Sequence, residues 1–374
     1  MQKNITIYSE KLAELKSIYA TRELKNLPEN IINFSSNDYL SLNADADLRK
    51  EFLSNNRIEE ICFSSTSSRL LTGNHKSYIL LEEELCSLYK REAALVFNSG
   101  YHLNVGILPS VTEKGDLIIS DKLIHASIID GIRLCKCEHY RYEHNNYNQL
   151  EELLKENRNK FNNIFIVTES IFSMDGDVTD LQILVNLKNK YGCFLYVDEA
   201  HAFGVRGTNG LGCCEEQNVI KDIDFIVATF GKALASVGAF VICSKLFKDY
   251  FVNFTRTLIY TTALPPLNLE WTRFLLSKLH VFNNLRTDLM SISNYMKSEL
   301  NTKEGSHIIP YLIGDNKKLI EISKKLISNG FYVLPIRYPT VPKGQERFRF
   351  SMCSKHKTEE VKTMVGLLKR LEGI

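Results

Sequence analysis

A regular alternation of short apolar runs and helical segments constrains the fold of this chain more than any other feature. From about residue 75 onward, the helical segments are LLEEELCSLYKRE, HASIIDGIRLC, NQLEELLKENRN and LQILVNLKNKYG. Between and after them lie the apolar runs ALVFNSG, DLIISD, NIFIVTES, CFLYVDEAH, DFIVATFGK and GAFVICS. Such alternation is typical of parallel βα units, and continuous apolar runs indicate strands buried on both faces. We therefore predict an α/β fold with a mostly parallel central sheet covered by helices.

The pattern changes beyond Pro265 and Pro266. Helical periodicity continues to residue 303. It is followed by the strand-like HIIPYLIG, a helix at KKLIEISKKLISNG, the strand-like RFRFSMC and a last helix near 358–372. This mixture predicts a smaller α+β domain at the C-terminus. A second domain also agrees with the length of 374 residues, which exceeds what a single core usually holds.

The N-terminal part precedes the alternation. Residues 9–25 are predicted to form an amphipathic helix, which leads to a short strand and turn in NFSSNDYLSL. The predicted organisation is an N-terminal helix and arm over 1–40, a large α/β domain over 41–275 and a small α+β domain over 276–374.

Composition excludes several classes of protein. Lys and Arg total 46 against 44 Asp and Glu, so the net charge of +2 predicts no general attraction to nucleic acid or anionic lipid. No apolar run approaches membrane-spanning length, and nine scattered cysteines suit a reducing compartment, so we expect a cytoplasmic protein. Cys135, Cys137 and His139 lack a second ligand pair at zinc spacing, so we predict strand packing and no metal.

The residues that follow the apolar runs are the candidates for chemistry, because ligands of open α/β sheets bind at the carboxyl ends of strands. After ALVFN, the residues Ser99, Gly100 and Tyr101 open a helix, whose free N–H groups and dipole favour a phosphate. After DLIISD comes His125, which could cover a flat cofactor or simply cap a helix.

Two further strand ends carry a carboxylate and an amine. Asp198 follows FLYV with His201 three residues later, and could partner a pyridine nitrogen or simply cap the strand. Thr229 and Lys232 follow DFIVA, where the hydroxyl could reach a phosphate and the amine could form an imine with an aldehyde. Most lysines are solvated surface groups, so Lys232 is singled out only by its neighbours.

Eight strings of the sequence, taken together and in order, resemble a known family. They are SSRLLTGNH, FNSGYHLN, HASIIDG, TESIFSMDGD, VDEAHAFGVRG, TFGKALASVGAF, YTTALPP and YPTVPKGQERFRF. They are similar to the α-oxoamine synthases among the fold-type I pyridoxal 5'-phosphate (PLP) enzymes, from about residue 30 to the C-terminus. The resemblance implies the PLP-dependent transferase fold of type I, with PLP as cofactor.

The resemblance also implies roles for the residues at the strand ends. Lys232 would carry the cofactor as a Schiff base and act as general base, and Asp198 would pair with the pyridine nitrogen. His201 would contact the phenolic oxygen, and His125 would stack on the ring face toward the incoming substrate, which it would help to bind. The remaining implied cofactor contacts are Ser173 beside the phenolic oxygen, and Ser99, Gly100, Tyr101 and Thr229 at the phosphate.

Residues outside these strand ends are implied to bind a partner's cofactor or the substrate. Thr261 or Thr262 would reach a phosphate across a dimer interface, which implies a homodimer with shared active sites. Arg349, assisted by Asn37, would bind the amino acid carboxylate, as suits a bidentate guanidinium. The other implied substrate residues are Arg22, Thr340 and, near the acyl chain, Arg337.

Within the family, the sequence is most similar to the biotin-pathway branch, which joins L-alanine to a pimeloyl thioester with loss of carbon dioxide. The thioester could be carried by CoA or by an acyl carrier protein. The alternatives are a sibling such as glycine C-acetyltransferase or serine palmitoyltransferase, and, further away, a simple aminotransferase. Two departures from the usual family wording, SSTSSRL and Ser41 in NDYLSL, could reshape the substrate channel.

Overall fold

The computed structural model describes residues 5–24, 26–55 and 60–373. The chain forms two compact units. Unit 1 comprises Met1–Asn37, Met174–Asp177 and Asp288–Ile374, and unit 2 comprises Asp38–Ser173 and Val178–Thr287. The three-part domain division proposed from the sequence stays a prediction.

The described elements follow the alternation of the sequence. The strands are β1 Ile32–Asn33, β2 Ala93–Phe97, β3 Leu117–Asp121, β4 Glu138–Tyr142, β5 Ile164–Glu169, β6 Phe194–Asp198, β7 Phe225–Thr229, β8 Ala239–Cys243, β9 Ile308–Leu312, β10 Phe331–Tyr332, β11 Pro335–Ile336 and β12 Arg347–Ser351. The helices are α1 Thr6–Ser17, α2 Ala46–Asn55, α3 Lys76–Tyr89, α4 Gly100–Val111, α5 Ala126–Leu134, α6 Tyr147–Asn157, α7 Leu181–Tyr191, α8 Cys213–Glu216, α9 Lys245–Phe254, α10 Arg256–Ile259, α11 Pro266–Ser277, α12 Asn283–Glu299, α13 Asn316–Ser328 and α14 Thr358–Glu372.

Unit 2 is built on a seven-stranded sheet in the order β2-β8-β7-β6-β5-β3-β4. Strands β3 to β7 are parallel, whereas β8 is antiparallel to both β7 and β2. This arrangement confirms the mostly parallel, helix-covered sheet predicted from the sequence. The six apolar runs all form strands of this sheet.

Three strands of this sheet are buried along their whole length, as their continuous apolar runs predict. Every residue of β2, β3 and β5 is buried, and the core beside them includes Ile107 and Leu108 of α4 and Ile128 of α5. Removing these side chains from water supplies most of the driving force for this packing. The parallel strands therefore end together at one edge, where the polar residues that follow them meet.

The string SSRLLTGNH forms a π-helical turn, Arg69–Gly73, before α3. Arg69 Nη1 lies 2.7 Å from Glu82 Oε1 and 3.0 Å from the carbonyl oxygen of Val96. A Cβ at Gly73 would lie only 2.4 Å from the carbonyl oxygen of Ser67, so this close approach requires glycine. π-helical turns occur frequently at functional sites.

Unit 1 contains a three-stranded antiparallel sheet, β11-β12-β9, and a parallel pair of β1 with β10. The β1–β10 pairing, Ile32 with Phe331, explains why the N-terminal segment belongs to the same compact unit as the C-terminal residues. The last helix, Thr358–Glu372, confirms the predicted span.

The N-terminal helix differs from its predicted range of 9–25. It runs from Thr6 to Ser17, and Tyr19 then has a φ of 57°, which a continuing right-handed helix cannot contain. Lys25, the last residue of the predicted range, lies outside the described residues. Within the described part of the chain, no helix is both long and apolar enough to cross a membrane.

Candidate active site

A cavity of about 190 Å³ in unit 2 lies at the carboxyl ends of the parallel strands. Six of the residues singled out in the sequence line it. They lie at the ends of β6 and β7 and in the segments after β2, β3 and β7. The full lining is Gly100, Tyr101, Leu103, Asn104, His125, Ser127, Glu169, Asp198, Ala200, Val227, Ala228, Thr229 and Lys232.

The amine of Lys232 is held beside an imidazole. Its Nζ lies 2.9 Å from Nε2 of His201, and the other ring nitrogen, Nδ1, lies 2.6 Å from the hydroxyl of Tyr39. Lys232 is half-buried, whereas His201 and Tyr39 are buried. Contacts on both nitrogens fix the ring orientation of His201, so the imidazole is positioned to exchange a proton with Nζ.

The carboxylate of Asp198 is fixed from two sides. Its Oδ2 accepts a hydrogen bond of 2.9 Å from Asn104 Nδ2, and its Oδ1 accepts one of 2.8 Å from the backbone N–H of Ala200. Tyr196 donates its hydroxyl proton to Oδ1 of the same asparagine, which sets the orientation of the amide. Buried acids need such partners, and here the partners leave the carboxylate aimed into the cavity.

His125 is connected to Asp198 through two polar side chains. Asn104 Nδ2 also donates to Ser127 Oγ at 2.9 Å, and Ser127 Oγ lies 2.7 Å from Nδ1 of His125. The backbone N–H of Ser127 donates to the same Nδ1 at 3.2 Å, so this nitrogen accepts and Nε2 carries the proton of the neutral ring. His125 is thus both the N-cap of α5 and a residue of the cavity wall.

The surroundings of His125 favour its neutral form. Part of the residue is open to solvent, yet the protein atoms packed around it desolvate the ring and lower the pKa of His125. The charge of Asp198 opposes this effect, and that of Lys232 reinforces it. A neutral ring is suited to packing against the face of a flat, conjugated ligand.

Glu169, at the end of β5, is a cavity residue that the sequence analysis missed. Burial raises the pKa of Glu169 well above its usual value, and the negative charge of Asp198 adds to the effect. Its Oε1 is buried without a hydrogen-bond partner among the described residues. The position directly after an apolar run was the signal that could have identified it.

The start of α4 and the loop after β7 meet beside the cavity. A Cβ built on Gly100 would lie 3.8 Å from Cβ of Thr229, and Ser99 caps the helix by accepting the N–H of His102 at 3.2 Å. Thr229 Oγ1 accepts the N–H of Gly231 at 3.1 Å. The helix N-terminus and this hydroxyl together suit a phosphate group. Tyr101 lines the same region.

Five predicted cofactor residues lie outside the cavity lining, and two of them, Ser99 and His201, are described above. Ser173 is half-buried in the turn after β5. Asn98 Nδ2 donates to Thr261 Oγ1 at 3.3 Å and to the carbonyl oxygen of Thr262 at 2.6 Å, so the YTTALPP segment is fixed next to the end of β2. Their contacts with cofactor, on either subunit, stay predictions.

The predicted substrate residues other than His125, which lines the unit 2 cavity, belong to unit 1, where they form two groups. In the first, Arg349 of β12 is buried, and its Nη1 donates to Ser351 Oγ at 2.6 Å and to Asn37 Oδ1 at 3.3 Å. The structure thus brings together the two residues to which the sequence assigned the amino acid carboxylate.

The second group combines two guanidinium groups and a hydroxyl. Arg22 Nη2 donates to Thr340 Oγ1 at 3.3 Å. Arg337 donates to the carbonyl oxygens of Tyr19, at 2.6 Å, and of Thr21, at 3.0 Å. Burial and the positive charge of Arg22 lower the pKa of Arg337, and the negative charge of Glu23 opposes them only in part, so the two cations are close enough to repel each other. An anionic ligand would relieve that repulsion.

The residues of the unit 2 cavity fit PLP. Lys232 offers an amine to an aldehyde, and Asp198 offers a carboxylate to a pyridinium nitrogen. The N–H groups at the start of α4 offer donors to a phosphate beside Thr229, whose own hydroxyl donates to the carbonyl oxygen of Gly238 at 2.9 Å. The described residues include no cluster of three or more His, Cys, Asp or Glu side chains that could hold a metal ion. Sequence reasoning missed Asn104, Ser127 and Tyr39, whose roles depend on contacts across the fold.

Comparisons with known proteins agree with this chemistry. The model of the family "Aminotransferase class I and II" matches residues 29–368. The 8-amino-7-oxononanoate synthase of Haemophilus ducreyi is 46% identical, over 97% of this chain and 100% of that protein.

Two solved structures are similar over most of the chain. A serine palmitoyltransferase from S. paucimobilis with bound PLP–myriocin aldimine has a TM-score of 0.91 and 25% identity, covering 100% of this chain and 99% of that chain. The 8-amino-7-oxononanoate synthase of Francisella tularensis has a TM-score of 0.80 and 29% identity, covering 92% and 99%. The chain therefore belongs to the class I and II aminotransferase family, as a PLP-dependent C-acyltransferase of the α-oxoamine synthase type.

Proposed function

We propose that this enzyme condenses L-alanine with a pimeloyl thioester, with loss of carbon dioxide, to give 8-amino-7-oxononanoate for biotin biosynthesis. The observation that carries the proposal is the 46% identity to the H. ducreyi synthase over 97% of the chain. Sequence identity at this level means that many side chains are shared, and side chains select the substrate. A shared backbone path alone does not determine the substrate.

In this proposal Lys232 is the group that moves the proton. Its Nζ takes the proton from Cα of the amino acid and later returns one to the same carbon, as a positioned general base and acid. His201, 2.9 Å from Nζ, positions the amine, and Tyr39 holds the imidazole in turn. When bound, PLP supplies an aldehyde that links to the amino group and a ring that accepts electrons from Cα.

The other cavity residues hold the reacting groups in place. Asp198, fixed by Asn104 and Ala200, binds the pyridine nitrogen and keeps it protonated. His125 covers the ring, and Ser99, Gly100, Tyr101 and Thr229 bind the phosphate, with Ser173 at the phenolic oxygen. Because these groups are fixed before the substrate binds, little of the binding free energy is lost in ordering them.

The two groups of unit 1 residues suit the two carboxylates of the proposed substrates. Arg349 with Asn37 is assigned to the carboxylate of alanine, which leaves as carbon dioxide after the new carbon–carbon bond forms. Arg22 and Arg337, with Thr340, are assigned to the distal carboxylate of the pimeloyl group. A pair of mutually repelling cations is well suited to that anion and poorly suited to a plain hydrocarbon chain.

One observation favours a second candidate. The backbone of the S. paucimobilis serine palmitoyltransferase superposes with the higher TM-score, 0.91 against 0.80 for the F. tularensis synthase. Serine palmitoyltransferase activity would require a long apolar acyl chain and serine in place of alanine. We place it second because its identity is 25%, against 46% for the H. ducreyi synthase.

A homodimer is part of the proposal. Thr261 and Thr262 are assigned to a phosphate bound in the partner's active site, so a monomer would lack part of its phosphate site. Light scattering coupled to gel filtration should report twice the chain mass of 42.9 kDa. The acyl donor is proposed to be pimeloyl-CoA or a pimeloyl acyl carrier protein, and both belong in the assay.

The deciding experiment is a product assay with matched substrates. Purified enzyme with PLP receives L-alanine, glycine or L-serine together with a pimeloyl, acetyl or palmitoyl thioester, and mass spectrometry identifies the product. Lys232→Ala serves as the inactive control. In a separate sample, borohydride should remove the visible imine band by reducing the imine. The reduced cofactor should then be attached to the peptide that contains Lys232.

Each outcome separates the candidates. A product of alanine and pimeloyl thioester, formed with carbon dioxide release, supports the proposal. Preferred use of serine with palmitoyl thioester, or of glycine with acetyl thioester, would replace it by the corresponding sibling activity. Transamination as the main reaction would point to an aminotransferase.

A further inference from the structure

Glu169 ends β5 in the wall of the unit 2 cavity, beside the residues proposed to hold PLP. Only 2% of the residue is exposed to solvent, and its Oε1 is buried with no hydrogen-bond partner among the described residues. Such an atom is costly in a folded protein, because it has lost water without gaining another partner. An unsatisfied buried group calls for an explanation, and its place in a cavity favours a bound ligand.

A second buried glutamate nearby shows the contacts of a purely structural carboxylate. Glu199 directly follows β6, and its two oxygens accept the backbone N–H groups of Cys213, at 2.9 Å, and Cys214, at 2.6 Å. The hydroxyl of Ser170 also donates to it, at 2.7 Å. These contacts satisfy both oxygens within the protein, and Glu199 lies outside the cavity lining. Packing therefore explains Glu199, whereas it leaves one oxygen of Glu169 unexplained.

The side chain of Glu169 leaves the sheet on the same face as that of Asp198. The two residues are register partners in adjacent parallel strands, and such partners point the same way. Two positions earlier in each strand, Val167 and Tyr196 belong to the core that includes residues of α4. Asp198 itself is hydrogen-bonded to Asn104 of α4. Because side chains alternate along a strand, Glu169 also faces the α4 side of the sheet, where the cavity lies.

The cavity residues follow a fixed order along the edge of the sheet. Thr229 ends β7, Asp198 ends β6 and Glu169 ends β5, and these strands are neighbours in that order. The start of α4, whose N–H groups suit a phosphate, lies on the Thr229 side, because Gly100 is next to Thr229. Asp198 therefore lies between the phosphate position and Glu169.

The covalent structure of PLP decides which of its groups can meet Glu169. The aldehyde carbon lies between the phosphate arm on one side and the phenolic oxygen on the other, and the ring nitrogen is opposite the aldehyde. With the nitrogen at Asp198 and the phosphate at the start of α4, the phenolic oxygen faces the β5 side. His201 and Ser173, which were also assigned to that oxygen, lie outside the cavity lining, whereas Glu169 lies in it.

We propose that Glu169 is a further cofactor-binding residue, which donates a hydrogen bond from its carboxylic acid group to the phenolic oxygen of PLP. This inference rests on the proposed placing of the ring nitrogen at Asp198 and is independent of the choice of substrates. Burial of an unpartnered oxygen favours the neutral acid, because an ionised carboxylate without partners is far less stable in such a place.

The charges around Glu169 agree with a retained proton. Burial raises the pKa of Glu169 well above its usual value, and the negative charge of Asp198 acts in the same direction. The positive charge of Lys232 and the backbone N–H of His125 oppose this rise without cancelling it. The group that faces the phenolic oxygen is therefore a donor.

Glu169→Leu tests the contact, because it removes the donor and keeps a side chain of similar size. In the PLP-loaded enzyme the imine proton is shared with the phenolic oxygen, so the visible imine band changes with pH. A donor to that oxygen stabilises the negative charge left when the proton departs, so the pH midpoint of the change should rise in the variant. PLP affinity should fall roughly two- to tenfold, as expected for one lost hydrogen bond. Spectroscopic titrations with pH and with PLP measure both effects without acyl transfer.

Two further variants serve as controls. Glu169→Gln keeps an N–H donor and carries no charge, so its pH midpoint and PLP affinity should stay near the wild-type values. Glu199→Gln changes a buried glutamate outside the cavity lining, so it should lower the melting temperature and leave the midpoint unchanged. The apoenzyme gives an independent measurement, since the infrared difference between wild type and Glu169→Gln should contain the C=O stretch of a protonated acid.

The direction of each change separates the possible roles of Glu169. A lower midpoint in Glu169→Leu, or a carboxylate band in the infrared difference, would mean that Glu169 is a negative charge near the imine and would overturn the proposal. An unchanged midpoint with unchanged PLP affinity would make Glu169 a packing residue and would overturn it too. Wild-type enzyme without an imine band would instead contradict the assignment of Lys232, which belongs to the proposed function.

Discussion

The amine of Lys232 lies 2.9 Å from Nε2 of His201, whose other ring nitrogen lies 2.6 Å from the hydroxyl of Tyr39. The three residues come from segments far apart in the chain, yet they form one continuous polar chain ending at the cavity. This arrangement gives the proposed base a fixed direction and a neighbour that can accept or return a proton. The proposed catalysis can therefore be tested one link at a time.

Lys232→Ala is expected to abolish turnover, because the proton at Cα then has no positioned base. Tyr39→Phe should retain the buried ring but lose the contact with His201, worth about 0.5–1.5 kcal/mol, which corresponds to roughly a two- to tenfold lower kcat. Steady-state kinetics measures both effects. The exposed Lys221→Ala is the control, and a Tyr39→Phe enzyme with wild-type kcat would contradict the positioning role.

Asn104→Leu should weaken PLP binding and destabilise unit 2. The substitution removes one hydrogen-bond partner each from Asp198, Ser127 and Tyr196, and buried unsatisfied groups cost about 1–3 kcal/mol. Spectroscopic PLP titration and thermal melting provide the two measurements. The matched control is Asn157→Leu, another buried asparagine, whose Nδ2 bonds only to the carbonyl oxygen of Leu153 among the hydrogen bonds described. That variant should lose stability with PLP affinity unchanged.

Arg22→Met should raise the KM for pimeloyl-CoA roughly tenfold to a hundredfold, because a charge-assisted hydrogen bond contributes about 1.5–3 kcal/mol. Heptanoyl-CoA lacks the distal carboxylate, so its KM should be the same for wild type and variant. Arg370→Met, an exposed arginine on α14, is the control. An equal rise in KM for both thioesters would remove Arg22 from carboxylate recognition.

His356 should make unit 1 less stable as the pH falls. Its Nδ1 accepts the N–H of Cys353 at 3.1 Å, and its Nε2 donates to the carbonyl oxygen of Asn33 at 3.1 Å, so a second proton has no acceptor there. Burial lowers the pKa of His356 below the usual histidine value of about 6.5. Below about pH 6.5 the unfolded chain therefore binds this proton more readily than the folded chain. The free energy of unfolding consequently decreases as the pH decreases.

Urea unfolding monitored at several pH values measures this dependence. The free energy of unfolding of the wild type should decrease below about pH 6.5, and His356→Gln should show a shallower decrease over the same range. The other histidines contribute equally to both proteins, so the difference belongs to His356. Parallel curves for the two proteins would contradict the prediction.

Two helix ends provide a matched test of backbone conformation. The C-cap of α3 is Lys90, with φ 51° and ψ 46°, and that of α7 is Gly192, with φ 61° and ψ 49°. Lys90→Gly should stabilise the protein by about 0.5–1 kcal/mol, because glycine adopts this left-handed conformation without strain. Gly192→Ala should destabilise it by about 1 kcal/mol, since a Cβ there meets nothing within 4 Å and only the backbone strain changes. Thermal melting measures both.

The strands of the large sheet could be predicted because their apolar runs are local features. Strand β4 lacks a continuous apolar run, since EHYRY lies at the sheet edge and is only partly buried. Strand packing was expected for Cys135, Cys137 and His139, but only His139 lies in this strand. The antiparallel direction of β8 could not be read from GAFVICS, because direction depends on the path of the chain between strands. Ser41, noted as a departure from the usual family sequence, has a φ of 57°. The residue type alone does not reveal this conformation.

The sequence by itself determined the α/β class, the strands that end at the cavity, and the residues that follow them, including Lys232, Asp198, His125 and Thr229. These features follow from local periodicity, because the order of apolar and polar residues in a strand or helix reflects which of its faces are buried. Only the tertiary structure decided that Asn104 holds Asp198 and that Tyr39 holds His201. Such contacts join residues 94 and 162 positions apart, and they form only when separate elements pack together, so no local pattern encodes them.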